Sequence, residues 1–106
     1  MNEQFDYIII GAGTAGCILA NRLTENKKIR VLLIEAGGKD INPWIHIPGG
    51  YFKTMHNSKT DWCFTTEEEK YCNNRKMLIP RGKTLGGSSS INGMLYIRGH
   101  ANDYNY

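Results

Sequence analysis

Tyr7-Ile8-Ile9-Ile10-Gly11-Ala12-Gly13-Thr14-Ala15-Gly16, followed further on by Arg30-Val31-Leu32-Leu33-Ile34-Glu35, decides the fold of this chain. The two apolar runs lack polar alternation, which is the pattern of parallel strands covered on both faces. Between them Ala15, Ile18, Leu19 and Leu23 recur at helical spacing. Lys27 and Lys28 stand where they would close that helix near its negative dipole end. The order strand, glycine turn, helix, strand predicts an α/β chain opening on a Rossmann-like βαβ unit over about residues 5–36.

Gly11-Ala12-Gly13-Thr14-Ala15-Gly16 matches G-x-G-x-x-G, a pattern that says little alone. Here it follows a strand and opens a helix, and Glu35 stands 19 residues beyond Gly16. That is close to the interval of about 20 seen in dinucleotide-binding units. Gly11 permits the tight turn, Gly13 keeps a side chain away from a pyrophosphate, and Gly16 lets helix approach strand. The N–H groups at the helix start, at Thr14 and Ala15, then meet phosphate oxygens with the helix dipole behind them. Glu35, with Ala36 beside it, is placed to accept hydrogen bonds from the adenosine ribose, and its charge repels a 2′-phosphate, which disfavours NADP. A turn that serves packing alone is the competing reading, and the acid after the second strand argues against it. FAD and NAD both carry an ADP half, so the spacing leaves the two open.

The chain has 106 residues, enough for one small domain or a piece of a larger one. With 41% hydrophobic and 22% charged residues it has the composition of an ordinary globular protein. A net charge of +3 is too mild to imply nucleic acid, and the group Arg75, Lys76, Arg81 and Lys83 reads as solvated surface. Cys17, Cys63 and Cys72 are odd in number and include no C-x-x-C pair, so they suggest neither a disulfide framework nor a zinc site. Free thiols point to a reducing compartment, and a cytoplasmic location is the expectation. The opening Met1-Asn2-Glu3-Gln4-Phe5-Asp6 is acidic where a signal peptide is basic. The apolar stretch Ile8 to Ala20 is interrupted by glycines and short of the roughly 20 residues of a membrane span.

Beyond the first unit, Gly37 to about Tyr51 reads as irregular, punctuated by Pro43, Pro48 and paired glycines. Asp61-Trp62-Cys63-Phe64-Thr65-Thr66 has weak strand character, and Lys76 to Ile79 reads as a short strand ended by Pro80. Ser88 to Tyr96 reads as a helix capped by Ser88 or Ser89.

The second informative stretch is Arg81-Gly82-Lys83-Thr84-Leu85-Gly86-Gly87-Ser88-Ser89-Ser90-Ile91-Asn92-Gly93. It is not a P-loop, because Met77 stands where that pattern needs its first glycine. Its backbone N–H groups and hydroxyls suit a second contact with an anionic or polar cofactor, and a serine-capped loop is the equal alternative.

Both stretches, together with Glu35-Ala36-Gly37, Asp61-Trp62, Asn73-Asn74-Arg75, Pro80 and Tyr96-Ile97-Arg98-Gly99-His100, resemble the start of a GMC (glucose–methanol–choline) oxidoreductase. The likeness is to the bacterial choline dehydrogenase and alcohol dehydrogenase branch, and it covers essentially the whole chain. It implies FAD, and oxidation of an alcohol to an aldehyde with an electron acceptor that the sequence does not identify. It also implies that residues 1–106 are the N-terminal part of the FAD-binding domain of a two-domain flavoprotein. The glycine-serine flavin-contact segment then covers about 80–99, and the substrate domain lies outside the chain. By that resemblance Gly11, Gly13, Thr14, Ala15, Gly16, Glu35 and Ala36 hold the ADP half. Arg81, Thr84, Gly87, Ser88, Asn92, Gly93 and Met94 lie along the pyrophosphate and isoalloxazine, and Trp62 is either a further lining residue or an ordinary core aromatic.

Two departures from the family pattern matter. Some members carry a histidine, bonded to the flavin, immediately before the asparagine of the second segment; this chain has Ile91. The family's catalytic histidine and its partner lie downstream of residue 106. His46, His56 and His100 match neither, so no catalytic residue is assigned within the chain. An NAD-binding Rossmann module and a non-enzymatic nucleotide-binding remnant are the alternative functions.

Overall fold

The computed structural model describes residues 3–105; Met1, Asn2 and Tyr106, the ends of the 1–106 span, lie outside the described residues. Its first unit is strand β1 (Tyr7–Ile10), helix α1 (Thr14–Leu23) and strand β2 (Val31–Ile34). The strands pair in parallel, with Tyr7 opposite Val31 and Ile10 opposite Ile34. The Gly11 N–H extends the ladder to the Ile34 carbonyl at 2.7 Å. At the other end the Arg30 N–H donates to the Asp6 carboxylate at 2.7 Å, and the Arg30 guanidinium lies 4.9 Å over the Phe5 ring.

Gly16 is buried where α1 crosses the sheet, and a Cβ there would run into the Gly11 carbonyl. The close approach that the motif requires of its third glycine is therefore present. The end of α1 differs from the sequence expectation. The Thr24 hydroxyl donates to the Ala20 carbonyl at 2.8 Å and to that of Asn21 at 3.2 Å, and the helix stops at Leu23. Arg22, rather than Lys27 or Lys28, is the basic residue of its last turn, paired with Glu25 at 2.6 Å.

The expectation that both faces of the strands are covered also needs correction. Ile8 and Ile10 are 61% and 86% exposed. One helix against two strands covers one side, and the other remains bare among the described residues. Ile18 and Leu19 on α1 are likewise about half exposed.

The stretch after β2 is irregular, as read, apart from a 3-10 turn at Pro43–Ile45 and a single helical turn, α2 (Tyr51–Thr54). Strands β3 (Phe64–Thr65) and β4 (Leu78–Ile79) form a short antiparallel pair, with Phe64 opposite Ile79. They fall within the two weaker strand predictions and are shorter than either.

The helix predicted over Ser88–Tyr96 does not form. In its place is a 3-10 turn, Gly87–Ser90, preceded by Gly86 rather than by a serine cap. Gly86 and Gly87 both adopt left-handed backbone, at φ +87° and +58°. The hydroxyls of Ser89 and Ser90 turn back onto the carbonyls of Gly86 (2.6 Å) and Leu85 (2.8 Å), an alternative to helical bonding that short polar side chains offer.

Candidate cofactor-binding cleft

The second glycine segment is threaded between the βαβ unit and the stretch 60–62 that precedes β3. On one side the Gly86 N–H donates to the Ala12 carbonyl at 2.8 Å, setting Gly13 opposite Gly86 in a parallel bridge. The Leu85 N–H and the Thr84 hydroxyl both donate to the Gly38 carbonyl, at 2.9 and 3.1 Å. On the other side the Lys83 N–H donates to the Thr60 carbonyl (2.8 Å) and the Trp62 N–H to that of Arg81 (2.9 Å). Two motifs some seventy residues apart in sequence therefore share one backbone frame.

Between them opens a cleft of about 480 Å³ at the carboxyl ends of β1 and β2. This is the position at which open α/β sheets bind ligands. From the predicted set, the βαβ side contributes Gly11, Gly13, Glu35 and Ala36, and the opposite wall Trp62, Arg81, Gly87 and Ser88. Other predicted residues lie elsewhere. The side chains of Thr14 and Ala15 are exposed on the first turn of α1, outside the cleft lining. Gly16 packs α1 onto β1. Thr84 is 1% exposed, with its hydroxyl spent on Gly38, so here it braces the frame and does not line the cleft. Asn92, Gly93 and Met94 are exposed beyond the 3-10 turn and also stand outside the lining.

Four lining residues were not predicted: Ile10, Ile34, Phe64 and Gly82. The sequence carried a signal for three of them. Ile10 and Ile34 end their strands at the ligand-binding edge, and Phe64 is two residues from Trp62, the spacing that puts side chains on one face of a strand.

The chain's own atoms account for part of this chemistry. Glu35 Oε2 accepts the Ala12 N–H at 2.7 Å, and Oε1 accepts the Gly37 N–H at 2.8 Å. An ionised carboxylate offers about four acceptor positions, so two remain for hydroxyl donors. Gly13 stands at φ −76°, ordinary for any residue, and a Cβ there would meet nothing within 4 Å. Nothing in the chain itself requires glycine at this point; an added side chain would project into open space at the cleft lining. Gly13 also caps α1 with no side-chain hydrogen bond, leaving the amide end of the helix clear. The residues present thus fit the ADP half of a dinucleotide.

The opposite wall is aromatic and cationic. Trp62 and Phe64 stack at 5.8 Å with planes 3° apart, and the Lys83 ammonium lies 4.6 Å from the Trp62 ring centroid. Beneath them Asp61 is 1% exposed. Its Oδ1 accepts the N–H groups of Cys63 (3.0 Å) and Arg81 (2.8 Å), and Oδ2 accepts that of His56 (2.8 Å). Burial opposes ionisation of this carboxyl. The three backbone donors, with the nearby His56 charge, outweigh burial and hold it below its ordinary value. From sequence Asp61 stands out only as part of a weak strand and of the family resemblance, and this role is missed, because Arg81 lies twenty residues away and no local pattern announces the contact.

None of the three histidines lines the cleft. The His46 ring nitrogen Nε2 is 2.5 Å from the Asp40 carbonyl, and His100 Nδ1 accepts the Asn102 N–H at 3.2 Å. All three cysteines are free. Among the described residues no group of three His, Cys, Asp or Glu side chains is arranged to hold a metal. No helix among them is long and apolar enough to cross a membrane.

The chain is similar to proteins of known activity. It is 55% identical over 101 residues to an alcohol dehydrogenase [acceptor] of Pseudomonas putida, covering 95% of this chain and 18% of that protein. It is 51% identical over 104 residues to an oxygen-dependent choline dehydrogenase of Vibrio vulnificus (strain YJ016), covering 98% of this chain and 19% of that one. Among solved structures it superposes with a TM-score of 0.82 and 40% identity on the formate oxidase of Aspergillus oryzae RIB40, studied for modification of its FAD. That match covers 92% of this chain and 18% of the oxidase. The chain thus spans about a fifth of the length of these relatives. Residues 5–106 match the family model described as GMC oxidoreductase, and the chain belongs to that family.

Proposed function

We propose that this chain is the FAD-binding portion of a flavin-dependent oxidoreductase that oxidises choline or a primary alcohol to the aldehyde. The observation that carries the proposal is the Gly13–Gly86 bridge, which joins the two glycine turns at one cleft, with Glu35 beside the first turn and Trp62 and Arg81 on the opposite wall. An NAD-binding βαβ unit needs the first turn and the acid but has no use for the second segment. FAD is the cofactor that membership of this family brings.

In this reading Gly13 and the first amides of α1 receive the pyrophosphate, and the free acceptor positions of Glu35 receive the ribose hydroxyls. Ala36 lies along the same edge, and Trp62 and Arg81 close the opposite side. Gly87 and Ser88 flank the phosphates, while Asn92, Gly93 and Met94 lead toward the isoalloxazine. When bound, FAD supplies the two-electron acceptor for a hydride leaving the alcohol carbon. Among the described residues no histidine lines the cleft, and in this proposal the role of taking the hydroxyl proton, like the substrate pocket, falls to residues other than these. A cytoplasmic location and a small-molecule alcohol substrate are parts of the same proposal.

The test is to purify the full-length protein that carries this sequence and identify its extracted cofactor. FAD supports the proposal; a nicotinamide dinucleotide with no flavin refutes it. Residues 1–106 alone, given FAD and an artificial electron acceptor, are expected to show no alcohol turnover above free flavin.

A further inference from the structure

We propose that Asp61 is a positioning residue for the cofactor: its buried carboxylate sets the Trp62–Arg81 wall of the cleft and thereby the affinity for FAD. The inference rests on the reading above, in which that wall meets the cofactor. Three separate points of the backbone converge on this one carboxylate, at His56, Cys63 and Arg81. Two of them, His56 and Cys63, hold left-handed backbone at φ +61° and +55°. Residues other than glycine adopt such angles uncommonly, and at a cost that surrounding contacts offset. Here the same carboxylate holds the N–H of each, so Asp61 ties down both bends, the one at Cys63 directly beside Trp62.

The consequence reaches the cleft through short links. Asp61 lies opposite Gly82 in an antiparallel bridge, and the Trp62 N–H donates to the carbonyl of Arg81, whose own N–H is held by Asp61. Trp62, Arg81 and Gly82 all line the cleft, while Asp61 does not. With the backbone fixed from below, Phe64 and Lys83 hold the indole from the side. Removing the carboxylate leaves three N–H groups without their acceptor and frees the bends, so the indole loses its station although no atom of the cleft lining has been deleted.

The experiment measures FAD affinity of the full-length protein, by titration of the apoprotein, in a double-mutant cycle. Trp62→Ala and Asp61→Ala are each expected to weaken binding roughly tenfold, the scale of one lost charge-assisted hydrogen bond or aromatic contact. The double variant is expected to bind no more weakly than the poorer single variant, because both changes remove the same wall. Unchanged binding in Trp62→Ala refutes the placement of the cofactor against this wall. Weakened binding in Trp62→Ala with unchanged binding in Asp61→Ala refutes the role of Asp61 alone. Losses that multiply to about a hundredfold in the double variant overturn positioning in favour of a general structural role. If Asp61→Ala does not fold, the milder Asp61→Asn takes its place in the cycle: weakened FAD binding that Trp62→Ala does not weaken further supports the proposal, and unchanged binding, or losses that multiply, overturns it.

Discussion

Glu35 Oε2 accepts the Ala12 N–H at 2.7 Å, so the acid that ends β2 also ties down the glycine turn that follows β1. The two halves of the motif hold each other in place before any ligand arrives. Glu35→Gln should therefore do more than lose a ribose contact. Its amide nitrogen must face the N–H of either Ala12 or Gly37, a repulsive pairing. FAD affinity of the full-length variant is expected to fall at least tenfold, about 1.4 kcal/mol, with a lower melting temperature as well. Lost affinity at unchanged stability would show that the turn does not depend on Glu35.

Gly13 and Gly16 separate binding from folding. A Cβ at Gly13 meets nothing within 4 Å, whereas one at Gly16 runs into the Gly11 carbonyl. Gly13→Val should leave thermal stability within about 0.5 kcal/mol, as for other substitutions that touch nothing, and still abolish FAD binding. Gly16→Ala should destabilise the fold whether or not FAD is present. Stoichiometric FAD in purified Gly13→Val would remove the pyrophosphate from this turn.

Ile91 is 2% exposed and offers no nucleophilic nitrogen. The flavin is therefore expected to be held without a covalent bond. Acid precipitation of the full-length holoprotein should leave the yellow colour in the supernatant. Flavin fluorescence that stays with the denatured polypeptide would contradict this.

The Asp61 carboxyl titrates below its ordinary value of 3.8 in the folded chain. A carboxyl depressed by folding contributes stability that is fully present above the unfolded value and is lost as pH falls through the folded one. Denaturant unfolding from pH 5 downward should show the unsubstituted protein losing stability below about pH 4, with a shallower loss in Asp61→Asn. Parallel curves for the two proteins would contradict the assignment.

The βαβ unit was legible because strand runs, helical spacing and glycine turn all point one way between Tyr7 and Glu35. Its edges were less so: one hydroxyl, Thr24, ends α1 before the lysines that sequence alone assigned to its closing turn. The helix after Ser88 was misread because helical propensity does not report Gly86 and Gly87 turning left-handed together. The edge of the cleft at the ends of β1 and β2 was readable from Gly11, Gly13 and Glu35. Its far wall was only partly so, since Asp61 and Arg81 meet through tertiary contact across twenty residues. Thr84, read from sequence as a cofactor contact, turns its hydroxyl to the Gly38 carbonyl, a contact across 46 residues that no local pattern announces.

The central claim is that this chain begins an alcohol-oxidising flavoprotein. The absorption spectrum of the full-length protein, recorded without oxygen before and after addition of choline or a primary alcohol, tests it most directly. Flavin bands in the purified protein that bleach on addition of the alcohol are the expected result. A colourless protein, or flavin bands that no alcohol bleaches, would contradict it.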